Sequence, residues 1–276
     1  MNLESLFEQT HNLPNIPKVV QELISTFNSD DFSMEDIAQK ISMDPVLTAK
    51  VLRLANSAHY GASRTVASTS DASVLLGFST LRTLVLASGI TGAIQTPEGF
   101  DRKQFWLDNF GIAAIAKWMA PYCKQDNEAA FTCGMLSNIG ELLIQLLLPS
   151  ESKKIHAAVE AGGKLHEVEE AMLGYTYADV GAELARRWKF PDEIAAGIKF
   201  HINPETAKDN HNLAGLIHLS VYVYTCQKQN LNDEETLAGF PKDIAKQIEM
   251  DTDKALEDLQ KMDGIESGME SLLSDL

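Results

Sequence analysis

The side chains best suited to nucleophilic or metal chemistry are few in this chain and poorly placed for it. Cys123, Cys133 and Cys226 are an odd number with no C-x-x-C spacing. Cys123 follows Pro121 in a turn and the other two fall in apolar helical runs, so buried structural thiols are expected rather than activated ones. His211 and His218 stand seven residues apart, which puts them on one face of a helix. Arg53, Asn56 and Ser57 cluster at the end of a marked helical run. They form either a recognition surface, or a helix end that Asn56 and Ser57 terminate while Arg53 pairs with a neighbouring carboxylate or carbonyl. Trp106, Trp118 and Trp188 sit at apolar helical spacing and read as core. There is no G-x-x-x-x-G-K-[ST] loop, G-x-G-x-x-G turn, G-x-S-x-G elbow or H-E-x-x-H pair, so nucleotide cradling and serine hydrolysis have no direct support.

The elements that must position these residues are helical throughout, because apolar residues recur at helical spacing in nearly every window. Asp44 caps and Pro45 opens a helix whose Leu47, Val51, Leu54 and Ala58 share a face. Ser33 caps another through Ile37 and Ile41, and Pro17 to Phe27 forms a third. Residues 70–94 read as two helices broken at Gly77, with Ser79 capping the second, and a turn-rich break follows at 95–102. Further helices are predicted over 103–120, 127–148, 151–161, 165–173, 177–189, 191–201 and 210–228. Residues 230–250 are more polar. Residues 251–276 carry 8 acids against 2 lysines, yet keep an apolar stripe from Leu256 through Met262, Ile265 and Met269 to Leu276.

Composition narrows the function classes. The chain has 276 residues, 45% of them hydrophobic and 22% charged, which suits a folded protein of one large or two smaller units. Its net charge of -16 repels phosphate backbones and anionic headgroups, so neither nucleic acid nor a membrane is expected as a partner. The acidic N-terminus does not read as a signal peptide, and apolar runs such as Leu142 to Leu148 are short of a bilayer span, so a reducing cytoplasm is expected.

The run DPVLTAKVLRLANSAHYG at 44–61 follows LPNIPKVV at 13–20 and precedes LLGFSTLRTLVL at 75–86. With FWLDNFGIAAIA at 105–116, FTCGMLSNIGELLI at 131–144 and LGYTYADVGAELARRWKFPDEIAAGIKFHINP at 173–204, it resembles the HDOD domain, a bacterial signalling module related to the HD metal-dependent phosphohydrolases. The resemblance spans roughly residues 10–228. It implies an all-α, multi-helix HD-like bundle, with an N-terminal helical part at 1–98 and a degenerate HD-like core at 99–228; composition and spacing add a polar linker and an acidic amphipathic helix at 229–276. In HD hydrolases a histidine stands two residues after the tryptophan of the first of these helices. A His-Asp pair precedes Ile-Gly in the second, and an aspartate lies on a late helix. The matching positions here are Asp108, Ser137, Asn138 and Val221, and no Asp or Glu falls between His218 and Val223. A hydroxyl, an amide and a valine are poor ligands for a divalent ion, so no metal and no other cofactor is expected. The resemblance also places His201 and His218 beside the former metal pocket, where they either keep a single ion or have their rings bonded within the protein. A non-catalytic signalling module that binds a partner protein or a small signal is implied. The alternative is a metal-dependent phosphohydrolase rearranged around Asp108, His201 and His218. The tail is expected to dock within the chain, with a basic partner or a second copy in a homodimer as the alternatives.

Overall fold

A computed structural model describes residues 2–8, 16–27, 33–57, 60, 65–94, 96–97, 99–207 and 211–259. These are helices joined by short turns, with no strand among the described residues. They fall into two compact units. The larger contains α1 (Leu3–Glu8) and the described residues from 96 to 259; the smaller contains the described residues from 16 to 94.

The smaller unit is α2 (Lys18–Phe27), α3 (Met34–Ser42), α4 (Pro45–Ala55) and α5 (Thr69–Ala93), with the first three packed on α5. The Ser33 hydroxyl accepts the Asp36 N–H at 3.0 Å, and the Asp44 carboxylate accepts those of Val46 and Leu47 at 2.8 and 3.0 Å. Leu47, Val51 and Leu54 are buried, while Ala58 lies outside the described residues. The helix stops at Ala55 because Asn56 turns its amide away. Nδ2 donates to the Leu52 and Val66 carbonyls at 2.7 and 2.8 Å, and Oδ1 accepts the Val66 N–H at 2.8 Å. Asn56 therefore pins the following segment to the helix end. α5 breaks at Gly77, whose φ of 74° favours glycine.

The larger unit continues with α6 (Arg102–Met119), a 3₁₀ turn at Ala120–Cys123, α7 (Asn127–Leu136), α8 (Ile139–Leu147), α9 (Pro149–Glu160), α10 (Leu165–Leu173), α11 (Tyr177–Arg187) and α12 (Asp192–Phe200). After a second 3₁₀ turn come α13 (His211–Lys228), α14 (Asp233–Gly239), α15 (Lys242–Gln247) and α16 (Thr252–Leu259). The single helix expected over 127–148 is two. The Ser137 N–H and hydroxyl both bond the Gly134 carbonyl, at 3.3 and 2.8 Å, tightening the last turn, and Asn138 follows at φ -101°, ψ 6°. α13 packs on α6, α7, α12 and α15, and α11 packs on α8 and α12. At the α8–α11 crossing a Cβ on Gly140 would overlap the Tyr177 carbonyl and lie 2.7 Å from the Gly181 nitrogen, so the two backbones touch.

Two stretches read differently in three dimensions. Leu6 and Phe7 of α1 are buried, and the Arg187 guanidinium lies 4.7 Å from the Phe7 ring centroid, so the N-terminus contributes to the larger unit. Residues read as a polar linker form α14 and α15, which bury Phe240, Ile244, Ala245 and Ile248. The acidic segment begins as α16, where Ala255 is buried and the Tyr122 hydroxyl donates to Asp258 Oδ2 at 2.9 Å. The remainder of the expected stripe, Met262 to Leu276, lies outside the described residues. By length and composition the helical stretches Thr69–Ala93 and Asn127–Leu147 are apolar enough to cross a membrane. Each has more than half of its apolar window buried in protein and is interrupted, at Gly77 or at Ser137 and Asn138.

Leu47 and Leu54 are 3% and 5% exposed. Urea melts of Leu47→Ala and Leu54→Ala are expected to show losses of about 2 to 5 kcal/mol each. Asn56→Ala leaves both backbone groups of Val66 without their partner and is expected to cost about 1 to 3 kcal/mol. Gly140→Ala forces two backbones apart, and a loss of about 3 kcal/mol or more is expected in the same melts.

Candidate functional site

Asp108 sits midway along α6, and the packing of α6 on α13 decides its environment. Gly111, one turn further on, has no Cβ to exclude the Tyr224 ring, which lies against the α6 backbone. That approach brings the Tyr224 hydroxyl to Asp108 Oδ1 at 2.8 Å, while Lys228, one turn along α13, reaches Oδ2 at 2.6 Å. Gln104 Nε2 also donates to Oδ1, at 2.6 Å. The one strong candidate ligand is thus held by three donors of the protein.

The other positions offer no strong ligand. Ser137 is fully buried with its hydroxyl on the Gly134 carbonyl. Asn138 starts α8 through its main chain, its carbonyl accepting the Glu141 N–H at 3.0 Å. Val221 presents no donor atom on its side chain, and its carbonyl accepts the Thr225 hydroxyl at 2.7 Å. Among the described residues no group of three or more His, Cys, Asp or Glu is arranged to hold a metal ion. The residues at these positions do not fit the metal of an HD-type site.

His201 and His218 are brought together. His201, at the end of α12, is buried; its Nδ1 donates to the Ile198 carbonyl at 2.6 Å, and its own carbonyl accepts from His218 Nδ1 at 2.8 Å. A carbonyl only accepts, so both rings carry their hydrogen on Nδ1. His201 Nε2 is then an acceptor and takes the Tyr177 O–H at 3.2 Å, with the ring centroids 5.7 Å apart. Burial pushes His201 down to about 4, and the nearby His218 adds to it. Burial, with the charges of Glu141 and Glu169, raises the Tyr177 hydroxyl above its ordinary range, which keeps it a donor. The side chain of His211 lies outside the described residues.

Three residues that spacing and motif did not single out complete the cluster: Glu141 on α8, Glu169 on α10 and Tyr177 at the start of α11. Glu169 is 1% exposed, and its Oε2 accepts the Tyr177 N–H at 2.7 Å. Burial pushes Glu169 up to about 7 against the pull of that N–H, helped by the charges of Glu141 and Asp179. Burial likewise raises Glu141, which feels the negative charge of Asp108 and the opposing influence of His156. The signal was present in the pattern, because Glu169 occupies the middle of an i, i+4, i+8 row with Leu165 and Leu173.

The cysteines are free and buried, and burial raises Cys123 to about 11 and Cys133 further, so neither is an activated nucleophile. Arg53, Asn56 and Ser57 belong to the smaller unit, where the Asn56 side chain is used on the backbone and the buried Ser57 Oγ has no hydrogen-bond partner.

The His201 geometry has a spectroscopic consequence. Its folded-state pKa lies below its usual value near 6.5, so the folded state binds fewer protons. The stability this confers is complete above about pH 6.5 and lost as pH falls toward 4. Nitrogen-15 NMR of the imidazoles is expected to show His201 as a neutral Nδ1–H tautomer at pH 5.5, where an ordinary histidine is mostly protonated.

Comparison with known proteins agrees with this architecture. A family model, the HDOD domain, matches residues 13–204. The crystal structure of a protein from Shewanella amazonensis SB2B, provisionally named a phosphohydrolase, is 37% identical, with 97% of each chain covered and a TM-score of 0.82. An HDOD domain protein of unknown function from Geobacter sulfurreducens shares the fold at 22% identity and a TM-score of 0.78, covering 99% of this chain and 95% of that one. An uncharacterized protein of Treponema pallidum (strain Nichols) is 26% identical over 210 residues, 75% of this chain, and the matched part spans 41% of that longer relative. With the family's model matched from the smaller helical unit through α12 to Pro204, the chain belongs to the HDOD domain family.

Proposed function

We propose that this chain is a non-catalytic regulatory HDOD module that acts by binding a partner protein or a small signal through an HD-like scaffold. The observation that carries this reading is the state of Asp108. Its two oxygens accept from Tyr224, Gln104 and Lys228, so an ion entering there would have to displace an ammonium and a phenol. It would then meet only a hydroxyl, an amide and a valine at the remaining positions. Such a set neither holds a divalent ion nor lowers the pKa of a bound water. A net charge of -16 favours a basic protein surface over nucleic acid as the partner. Three free, buried cysteines suit a reducing bacterial cytoplasm.

A second reading has one specific support, the provisional phosphohydrolase name of the 37% identical Shewanella structure. It requires a rearranged site at Asp108, His201 and His218. Against it, the Nε2 of His201 is taken by Tyr177, and both oxygens of Asp108 are taken by donors of the protein.

Elemental analysis separates the two. Purified protein is expected to carry less than about one tenth of an equivalent of divalent transition metal. Stoichiometric iron, manganese, nickel or zinc, with phosphodiesterase or nucleotidase turnover that Asp108→Ala abolishes, would establish the hydrolase instead.

A further inference from the structure

The α9–α10 pair is a hairpin at the margin of the larger unit: α9 packs on α8, and α10 packs on α9. α10 buries only Glu169 and Leu173 fully, so half of its buried anchor is a carboxylic acid. That acid reaches across the turn at Gly174 to the Tyr177 N–H, the first N–H of α11. The end it meets is already capped, because Thr176 and Asp179 form a reciprocal capping box there. The surroundings are acidic. Glu141 faces Glu169 from α8 and Asp179 from α11. Lys199 of α12 is drawn to Asp179 at 3.5 Å, and His156 of α9, near Glu141, is bonded through Nδ1 to the Ser152 carbonyl at 2.8 Å. His201 of α12 is reached only through the Tyr177 hydroxyl, and it is neutral.

We propose that the α9–α10 hairpin is a proton-controlled flap, held to the start of α11 through Glu169 while that acid carries its proton and released when it ionises. A buried carboxylate among Glu141 and Asp179, with one N–H to accept from, is stabilised far less than the same carboxylate in water. Docking therefore favours the protonated acid. A docked acid titrating near 7, against its ordinary value of 4.5, binds a proton more tightly than the undocked one. By linkage the docking free energy is fully present below about pH 4.5 and is lost as pH rises through about 7. Release frees Leu173 and the Tyr177 N–H, the main-chain donor of the residue whose hydroxyl meets His201, so a pH change is coupled to that pair.

Amide exchange of the full chain, read by mass spectrometry between about pH 5.5 and 8.5 and corrected for intrinsic rates, tests this. Peptides within 149–173 are expected to lose protection by roughly tenfold or more as pH rises, while those of α6, α7 and α13 hold. Glu169→Gln should flatten the response, and Glu141→Gln, by removing a repelling charge, should move the transition to lower pH. Flat protection of 149–173 in the unmodified chain overturns the proposal, as does an equal pH response in Glu169→Gln. If Glu169→Gln does not fold, an unmoved transition in Glu141→Gln overturns it.

Discussion

Where α8 crosses α11 no side chain fits between the helices, and much of the larger unit follows from that contact. Gly140 lies against the Tyr177 carbonyl and the Gly181 nitrogen. With the backbones this close, α8 sets Glu141 near the first turn of α11, and the same turn carries Tyr177 toward His201 on α12. A methyl group at the crossing would shift all of these together, because close-packed interiors transmit displacement rather than absorb it. Gly111 has the same role at a second crossing, where it admits the Tyr224 ring against α6 and lets Asp108 be claimed from α13.

At the positions that the family resemblance singles out, Asp108, Ser137, His201 and His218 find their partners within the protein. The carboxylate at the first ligand position is neutralised by Lys228, the serine bonds a carbonyl in its own helix, and the two histidines direct Nδ1 at main-chain carbonyls. Each group thereby avoids the desolvation penalty of a lone buried polar atom. These side chains are thus tied into the fold, and the proposed regulatory role by binding is consistent with that commitment.

The acids are the exception to this economy. Glu141 and Glu169 are drawn in where burial and mutual repulsion oppose their ionisation, a cost that a purely structural residue such as leucine would not carry. In the proposed flap, that cost is what couples the peripheral hairpin to protons.

Much of the fold was legible in the chain because local chemistry dictated it. Ser33 and Asp44 cap by accepting N–H groups within three residues, Gly77 breaks α5 through a φ that side chains resist, and Leu47, Val51 and Leu54 recur at helical spacing. The family resemblance singled out Asp108, Ser137, Asn138 and Val221 as the positions to compare with an HD site. What periodicity did not decide was the division of 127–148, since the apolar pattern runs on through Ser137 and only the backbone turn at Asn138 separates the two helices. Nor did it show that the first helix and residues 231–259 join the larger unit, because short helices with few apolar residues gain their stability from the surface they meet. Tertiary structure alone paired Asp108 with Lys228, 120 positions away, and set Glu169 beside Tyr177, Glu141 and Asp179. The reason is physical: a side chain's partners and its solvent are fixed by which helices cross, and crossing depends on contacts between segments far apart in the chain.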